Sequence, residues 1–401
     1  FILMLKKFLA ISAAAIAACA ALSGCGTNAY ARYRRTFASF GAMATVYLDG
    51  EFSSDEQRQD AIDTAEEIGA ILTSFENTFS TTIEDSDVCL FNAAAPGSTV
   101  GISEDMYNVL SLALEMYDET GGYYNAGVYY SVDLYNFAAR PEGVTMPYDR
   151  EENSDLPDER YVAAFCELSK SFSKIELYAE GGSYYAVKPE DTVEVDGVIY
   201  SLAIDLSGIA KGYTVDIVDK YIEDVGYPNS SFSYGMSSIA VNSTLATDSG
   251  EWYLTFRDPR GTVDDYYMAI DVKDVCLSTS GDYENYYEVG DRRYCHIIDP
   301  DTGSPITTGI VTSSCIGGTA AEDDARTTAV MAMGLDGAIE YINSQTVKDQ
   351  GLRITFVYQN SVGEYLLVTN IPEGEYELLN SVYIPASRID ENGNVVFTGT
   401  R

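Results

Sequence analysis

The sequence predicts an α+β protein in which helices pack on mixed or antiparallel sheets. Two segments, 56–79 and 104–118, carry apolar residues every three or four positions, the spacing of an amphipathic helix. Many short stretches rich in β-branched and aromatic residues, among them SIAVN, EWYLTF and LRITFVYQ, indicate strands. The strands and helices do not alternate regularly, as they would in a doubly wound parallel sheet.

The first residues have the composition of an export signal. Lys6 and Lys7 precede the apolar run FLAISAAAIAACAALSG, which is too short and too rich in alanine for a comfortable membrane span. The run is followed by Cys25, and its end resembles the lipobox of bacterial lipoproteins; an ordinary cleavage site with an incidental cysteine is the alternative. On the first interpretation residues 1–24 are a signal peptide. Cys25 is then lipidated, and residues 25–36 tether an exported lipoprotein to the outer face of the cell membrane.

The charge balance argues against one class of partner. Acidic residues number 62 against 24 lysines and arginines, so the formal net charge is −38. Such a surface repels the phosphates of nucleic acids, and we expect no nucleic-acid partner.

Five cysteines remain beyond those of the predicted signal and lipid site, without a C-x-x-C pair. We expect them to be mostly free and buried, although one or two disulfides are compatible with export.

The block AIDLSGIAKGYTVDIVDKYI predicts a strand, a turn and a helix. The strand ends at Asp205, the turn runs through Ser207 and Gly208, and the helix begins near Lys211. Free backbone N–H groups at a helix N-terminus favour a phosphate. An ordinary strand-to-helix turn explains the same residues without a ligand.

The block GGTAAEDDARTTAVMAMG predicts a second helix. Thr319 and Glu322 have capping-box spacing at its start, and Gly334 is expected to end it. Asp324 and Thr328 are four residues apart and therefore share one face. A carboxylate beside a hydroxyl suits a hard cation such as Mg²⁺. The alternative is a helix whose first-turn acids complement its dipole, with no metal.

The third block contains the only histidine, His296, within RYCHIIDPDTG. DPDTG predicts a turn between two strands, and the nearby TSGD predicts another turn that brings hydroxyls to the same place. An imidazole with a pKa near 6.5 suits a general base at neutral pH. A lone histidine is also compatible with a purely structural, hydrogen-bonded role.

Together these blocks resemble the ApbE family, the FAD:protein FMN transferases. That family carries, in order, a DLGGIAKGYAVD-like block, TSGDY, HIIDPxTG and aDalaTA.mvlG; here the counterparts read DLSGIAKGYTVD, TSGDY, HIIDPDTG and DDARTTAVMAMG. Weaker matches extend the resemblance over about residues 37–370, the expected transferase domain. Residues 371–401 would be a C-terminal extension of the same domain.

The resemblance implies an ApbE-like fold and an enzyme that binds FAD and Mg²⁺ or another divalent cation. The FMN half of FAD would pass to a Ser or Thr of an acceptor flavoprotein through a phosphodiester bond, with release of AMP. By position, the metal ligands would be Gly208, Asp324 and Thr328, and His296 would be catalytic. The expected FAD contacts are Met43, Tyr123, Tyr124, Asn125, Asp205, Lys211, His296 and Ile297.

The chain departs from the family pattern at several expected flavin and backbone contacts. These departures are Ala44, Thr82, Asn125, Gly127 and the single glycine in SYGMSS. Two other functions fit the same residues. A pyrophosphatase that passes the phosphoryl group to water, giving FMN and AMP, needs the same metal and base. A non-catalytic flavin-binding lipoprotein would bind FAD at the same residues without catalysing a reaction.

Overall fold

The computed structural model describes residues 30–149 and 156–401. The predicted signal peptide, Cys25 and the first part of the predicted tether lie outside these residues. The described α-helices are α1 Asp55–Phe79, α2 Asp87–Ala93, α3 Glu104–Glu119, α4 Tyr129–Leu134, α5 Glu159–Ser169, α6 Ser207–Asp224, α7 Ala320–Ile342 and α8 Gln345–Gln350, with 3-10 helices at Ala126–Val128 and Lys170–Lys174. In this part of the chain no helix is long and apolar enough to span a bilayer.

The strands are short and far more numerous than the helices. They are β1 Ala31–Ser39, β2 Ala42–Gly50, β3 Thr99–Ile102, β4 Glu176–Glu180, β5 Ser183–Val187, β6 Thr192–Val195, β7 Val198–Ser201, β8 Ser230–Tyr234, β9 Ser238–Val241, β10 Trp252–Arg257, β11 Tyr266–Val272, β12 Val275–Gly281, β13 Tyr286–Val289, β14 Arg292–Cys295, β15 Ile298–Asp299, β16 Ser304–Pro305, β17 Ile310–Ile316, β18 Arg353–Gln359, β19 Tyr365–Thr369, β20 Glu377–Leu378, β21 Tyr383–Pro385, β22 Ser387–Ile389 and β23 Val395–Phe397.

Nine strands form the central sheet, in the order β1-β2-β8-β9-β12-β17-β18-β19-β21. All neighbouring pairs in it are antiparallel except β19 and β21, which run parallel. This mixed sheet with packed helices confirms the predicted α+β class. The C-terminal residues supply β21 to this sheet and β20 to a three-stranded sheet of order β10-β11-β20.

Alternation along the central strands divides the core into two layers. Ala240 packs with residues of α1 and α6, whereas its neighbour Val241 packs with residues of β10 and β11. Phe356 and Val357 show the same alternation: Phe356 packs against α7, and Val357 packs against the small sheet β10-β11-β20. Because successive side chains of a strand point to opposite faces, the helices cover one face of the sheet and the small sheet covers part of the other.

The predicted element boundaries agree well for α1 and α3 and less well elsewhere. Residues 31–36, expected in the tether, belong to β1, which pairs with β2 along its whole length. The strand expected to end at Asp205 ends at Ser201, and α6 begins at Ser207, four residues before Lys211. The helix starts early because the Asp205 carboxylate accepts a hydrogen bond from Ser207 N–H at 2.8 Å and so satisfies one of its free first-turn donors.

The prediction for α7 is correct at its start and incomplete at its end. Thr319 and Glu322 form the expected capping box. Gly334 interrupts the helix with φ 68° and ψ 177°, but helical structure resumes and continues to Ile342. The continuation is favoured because Leu335, Ala338 and Ile342 keep a buried apolar face beyond the break.

All five cysteines in the described residues are free, as expected, and three of them are buried.

Two residues of α6 fix its position against the start of α7. A Cβ atom added to Gly212 would lie 2.2 Å from the Ala320 carbonyl oxygen, so only glycine permits this approach. One turn later, the Asp216 carboxylate accepts hydrogen bonds from the backbone N–H groups of Ala320 at 2.7 Å and Ala321 at 2.9 Å. Asp216 therefore caps α7 from a neighbouring helix, a favourable place for a carboxylate.

We expect Gly212→Ala to destabilise the fold. Overpacking a tight contact costs about 1–3 kcal/mol, which exceeds the roughly 1 kcal/mol that alanine gains over glycine within a helix. Urea denaturation should show a lower free energy of unfolding. Gly101→Ala is the matched control, since a Cβ atom there meets nothing within 4 Å. Equal stability of the two variants would contradict the tight-contact account.

Candidate active site

A cavity of about 860 Å³ lies where the start of α6, the first turns of α7 and the ends of several strands meet. Its volume is within the usual range of sites for small molecules and cofactors. The predicted site residues that line it are Tyr123, Tyr124, Asn125, Asp205, Gly208, Lys211, His296, Ile297, Asp324 and Thr328. Residues from four separate sequence blocks are therefore brought to one place.

Met43 is the predicted contact that the structure does not bring to the cavity wall. Its side chain is 54% exposed, and the preceding residues Phe40, Gly41 and Ala42 line the cavity instead. The reason is the alternation of β2. Ala44 is fully buried in the core, so the adjacent Met43 points away from it.

Asp324 is the most deeply buried carboxylate of the cavity, at 3% exposure. Its Oδ2 accepts a hydrogen bond from Gly212 N–H at 3.3 Å and lies 4.0 Å from Lys211 Nζ. Burial raises the pKa of Asp324, while Lys211 and the Gly212 amide act against that increase. The carboxylate is thus held in place, but its negative charge is only partly balanced by its neighbours. It is therefore a strong candidate for a cation ligand.

Oxygen donors surround Asp324 on α7 and its neighbours. Thr328 Oγ1 donates to the Asp324 carbonyl at 3.1 Å, as expected for residues four apart in a helix, and lies 3.3 Å from Ser280 Oγ. On α6, a Cβ atom on Gly208 would lie 3.6 Å from Thr328 Oγ1. The first turn of α6 therefore faces the Asp324 side of α7 at close range.

These groups fit a hard divalent cation whose coordination is completed by substrate. In the described chain no cluster of three or more His, Cys, Asp or Glu side chains is arranged to hold a metal ion. The available donors are instead one carboxylate, hydroxyl groups and backbone carbonyls. Mg²⁺ accepts such an oxygen set and commonly takes its remaining ligands from phosphate and water.

The start of α6 has the character of an anion site. Lys211 Nζ donates to the Ser207 carbonyl at 2.8 Å, so its ammonium group is folded back over the first turn of the helix. Asp205 N–H donates to the Ala126 carbonyl at 2.8 Å, which joins this turn to the segment that follows α3. A positive side chain and the positive end of the helix dipole therefore lie on the same side of the cavity.

Residues 123–125 line the cavity beside the start of α6, where a Cβ atom on Gly208 would lie 3.5 Å from the Tyr124 ring. Tyr124 OH is buried and has no hydrogen-bond partner in the described chain. Its pKa is raised well above the usual value, first by burial and then by the charges of Asp324 and Asp205. Asn125 Oδ1 accepts from Gly127 N–H at 2.8 Å and caps the short 3-10 helix. Gly127 departs from the family pattern because a Cβ atom there would lie 2.7 Å from the Ser169 carbonyl.

His296 lies in the bend between β14 and β15, where its backbone N–H donates to the Asn285 carbonyl at 3.1 Å. The DPDTG turn between β15 and β16 forms as expected, whereas Thr279, Ser280 and Gly281 of the TSGD block belong to β12. The Nδ1 atom of His296 is buried without a hydrogen-bond partner among the described residues. Burial, assisted by the charge of Lys211, lowers the pKa of His296 to about 4.

This pKa corrects the expectation of a titration near neutral pH. The imidazole of the free protein is neutral at pH 7 and can accept a proton. The negative charge of a bound pyrophosphate would raise the pKa of His296 and make it a stronger base.

Sequence patterns did not identify every residue of the cavity. Ser280 bonds both Thr327 and Thr328, and only its place in the TSGD block hinted at a role. Arg257 and Tyr266 also line the cavity. The sequence patterns of their segments predict strands, β10 and β11, and give no sign of a functional site.

The single histidine permits a direct test of the site's electrostatics. In an NMR titration of the untagged protein, the Cε1–H resonance of His296 should shift little between pH 5.5 and 8 and should titrate near pH 4. A midpoint near 6.5 would show that the imidazole is neither desolvated nor close to Lys211.

Comparisons with known proteins identify the family of this chain. The ApbE family profile matches residues 40–351. The protein named FAD:protein FMN transferase of Klebsiella pneumoniae (strain 342) is 27% identical over 88% of this chain and 93% of its own length. The protein of the same name from Treponema pallidum (strain Nichols) is 26% identical over 79% of this chain and 83% of its own.

Solved structures show the same fold. The flavin transferase ApbE of Vibrio cholerae superposes with a TM-score of 0.64 at 21% identity, over 84% of this chain and 97% of that one. The ApbE protein of Thermotoga maritima has a TM-score of 0.65 at 24% identity, over 83% of this chain and 96% of its own. With a family profile that spans most of the described residues, this chain belongs to the ApbE family.

Proposed function

We propose that this protein is an FAD:protein FMN transferase that uses Mg²⁺. The observation that carries the proposal is that Asp324 and Thr328 of α7 face Gly208 and Lys211 of α6 at close range within one large cavity. The names of its curated relatives support the same reaction.

The charges in the cavity explain why a cation is needed. A phosphate oxygen about 4 Å from a buried carboxylate is repelled by about 4 kcal/mol at an effective dielectric constant of about 20. Without a cation, Lys211, the positively charged side chain beside Asp324, would have to compensate both that carboxylate and the pyrophosphate. Asp324, Thr328 and the Gly208 carbonyl would hold a divalent cation, which would offset this repulsion and supply Lewis-acid stabilisation of the phosphoryl oxygens.

The reaction is a substitution at the phosphorus atom of the FMN half of FAD. The Ser or Thr oxygen of the acceptor forms a new P–O bond, while the bond from that phosphorus to the bridging oxygen breaks. The bridging oxygen leaves with AMP, and Lys211 would stabilise the negative charge that develops on this oxygen. His296, neutral before FAD binds, accepts the proton of the acceptor hydroxyl.

The proposal predicts two products in one assay. The mature protein, incubated with FAD, Mg²⁺ and an acceptor domain bearing a D-x-x-S/T-G-A-T-like segment, should release AMP and leave covalent flavin on the acceptor. Mass spectrometry measures the acceptor and chromatography measures AMP. Free FMN with an unlabelled acceptor would identify a pyrophosphatase instead. FAD binding without either product would identify a binding protein.

Asp324→Asn should lower the rate of transfer by about a hundredfold or more, because removing a charged group of the phosphoryl site costs transition-state stabilisation on this scale. Asp336→Asn is the matched control: it lies on the same helix, is 71% exposed and pairs with Arg401 on the surface. Circular dichroism should show both variants folded. Undiminished transfer by a folded Asp324→Asn variant would exclude the proposed metal ligand.

We also propose that the protein is exported and anchored by a lipid on Cys25, since the N-terminal block has the order of a lipoprotein signal. Cys25→Ser should move the protein from the membrane fraction to the soluble fraction. An unchanged distribution would refute the anchor.

A further inference from the structure

The small three-stranded sheet β10-β11-β20 has an unprotected edge. β10 hydrogen-bonds to β11, and within residues 30–149 and 156–401 no strand pairs with its other side. An unpaired edge offers a row of backbone N–H and C=O groups to any extended chain, and proteins usually protect such edges with lysine, proline or a covering element. Trp252–Arg257 contains neither lysine nor proline.

This edge faces the candidate active site. Leu254, Thr255, Phe256 and Arg257 are consecutive, and all four line the cavity. Because successive side chains of a strand point to opposite faces, a cavity bordered by four successive residues reaches the edge of the strand as well as one of its faces. The free backbone groups of β10 therefore border the same space as Asp324 and His296.

The last residue of β10, Arg257, is linked by contacts to the segment that binds His296. Arg257 Nη1 donates to Glu284 Oε1 at 2.7 Å, and its guanidinium lies 5.2 Å from the centre of the Tyr283 ring. The next residue, Asn285, accepts the backbone N–H of His296. Residues 283–285 also line the cavity. A chain lying along β10 would thus reach the reacting end of the site.

Arg257 has an unused donor at this position. Its Nε atom is buried and has no hydrogen-bond partner in the described part of the chain. Of the described residues that line the cavity, two carry a positive charge, Lys211 and Arg257. Lys211 lies beside Asp324 and the expected pyrophosphate, so Arg257 is available to an oxygen atom of a second ligand.

We propose that an extended segment of the acceptor protein binds as an added strand along the free edge of β10, with Arg257 donating to it beside His296. The inference rests on the proposed transferase function and names the surface that presents the acceptor hydroxyl. A peptide is the occupant of choice because its backbone repeats donors and acceptors at the spacing of a strand edge. FAD offers no such repeat.

Hydrogen exchange tests the location. The probe is the acceptor domain with its modified Ser or Thr replaced by Ala, which can bind but not react. At saturation it should slow amide exchange in residues 252–257 of the wild-type protein, whereas FAD and Mg²⁺ alone should not. Unchanged exchange with a saturating probe would overturn the proposal. Protection by FAD alone would assign the edge to the nucleotide and would overturn it equally.

Kinetics test the role of Arg257. Arg257→Gln should raise KM for the acceptor domain by about tenfold, the usual effect of losing one hydrogen bond from a charged donor. The Kd for FAD, from quenching of flavin fluorescence, should not change. Arg388→Gln is the control, since Arg388 is exposed on β22, outside the cavity-lining set. An unchanged acceptor KM in Arg257→Gln would remove Arg257 from the proposal.

These outcomes are distinct from failure of the proposed function. If the wild-type protein labels no acceptor, the transferase proposal fails and the docking surface falls with it. If labelling proceeds normally while the β10 amides exchange freely, only the docking surface is wrong.

Discussion

The contact between α6 and α7 is the constraint on which the site depends. Gly212 lets α6 approach the backbone of Ala320, and Asp216 caps the first N–H groups of α7. Burial raises the pKa of Asp216 to about 6, and the two α7 amides oppose that increase by stabilising the carboxylate. Together these residues fix where α7 starts and how it is rotated. Asp324, one turn further on, consequently meets the Gly212 amide and Lys211.

The same contact explains why the site tolerates a buried carboxylate whose charge is only partly compensated. Burying a charge without a partner is costly, and a protein retains one only where the surrounding structure holds it in place. Here α6 and α7 are held together by contacts at Ala320 and Ala321, one turn before Asp324. The acidic character of the chain, with a net charge of −38, adds to the need for a cation before an anionic substrate can enter. Substrate binding and metal binding are therefore expected to be coupled.

Much of this arrangement could be predicted from the sequence because it depends on local patterns of residues. The spacing of apolar residues predicted α1 and α3, and the capping box predicted the start of α7. The sequence blocks predicted ten of the residues that line the cavity, including Asp324, Lys211 and His296. What the sequence could not predict depends on contacts between distant residues. Asp216 and Ala320 are 104 positions apart, and the depressed pKa of His296 arises from its burial and from Lys211. Likewise, β10 reads as an ordinary strand, and only the sheet order shows that its edge borders the cavity.

The central claim is that Asp324, Thr328 and Gly208 hold a divalent cation beside the pyrophosphate of FAD. Crystals grown with FAD and Mn²⁺, with diffraction recorded at the manganese absorption edge, test it most directly. The account predicts one strong anomalous peak between the Asp324 carboxylate, Thr328 Oγ1 and the Gly208 carbonyl, in contact with the pyrophosphate. FAD bound at full occupancy with no anomalous peak at these three oxygens would contradict the account.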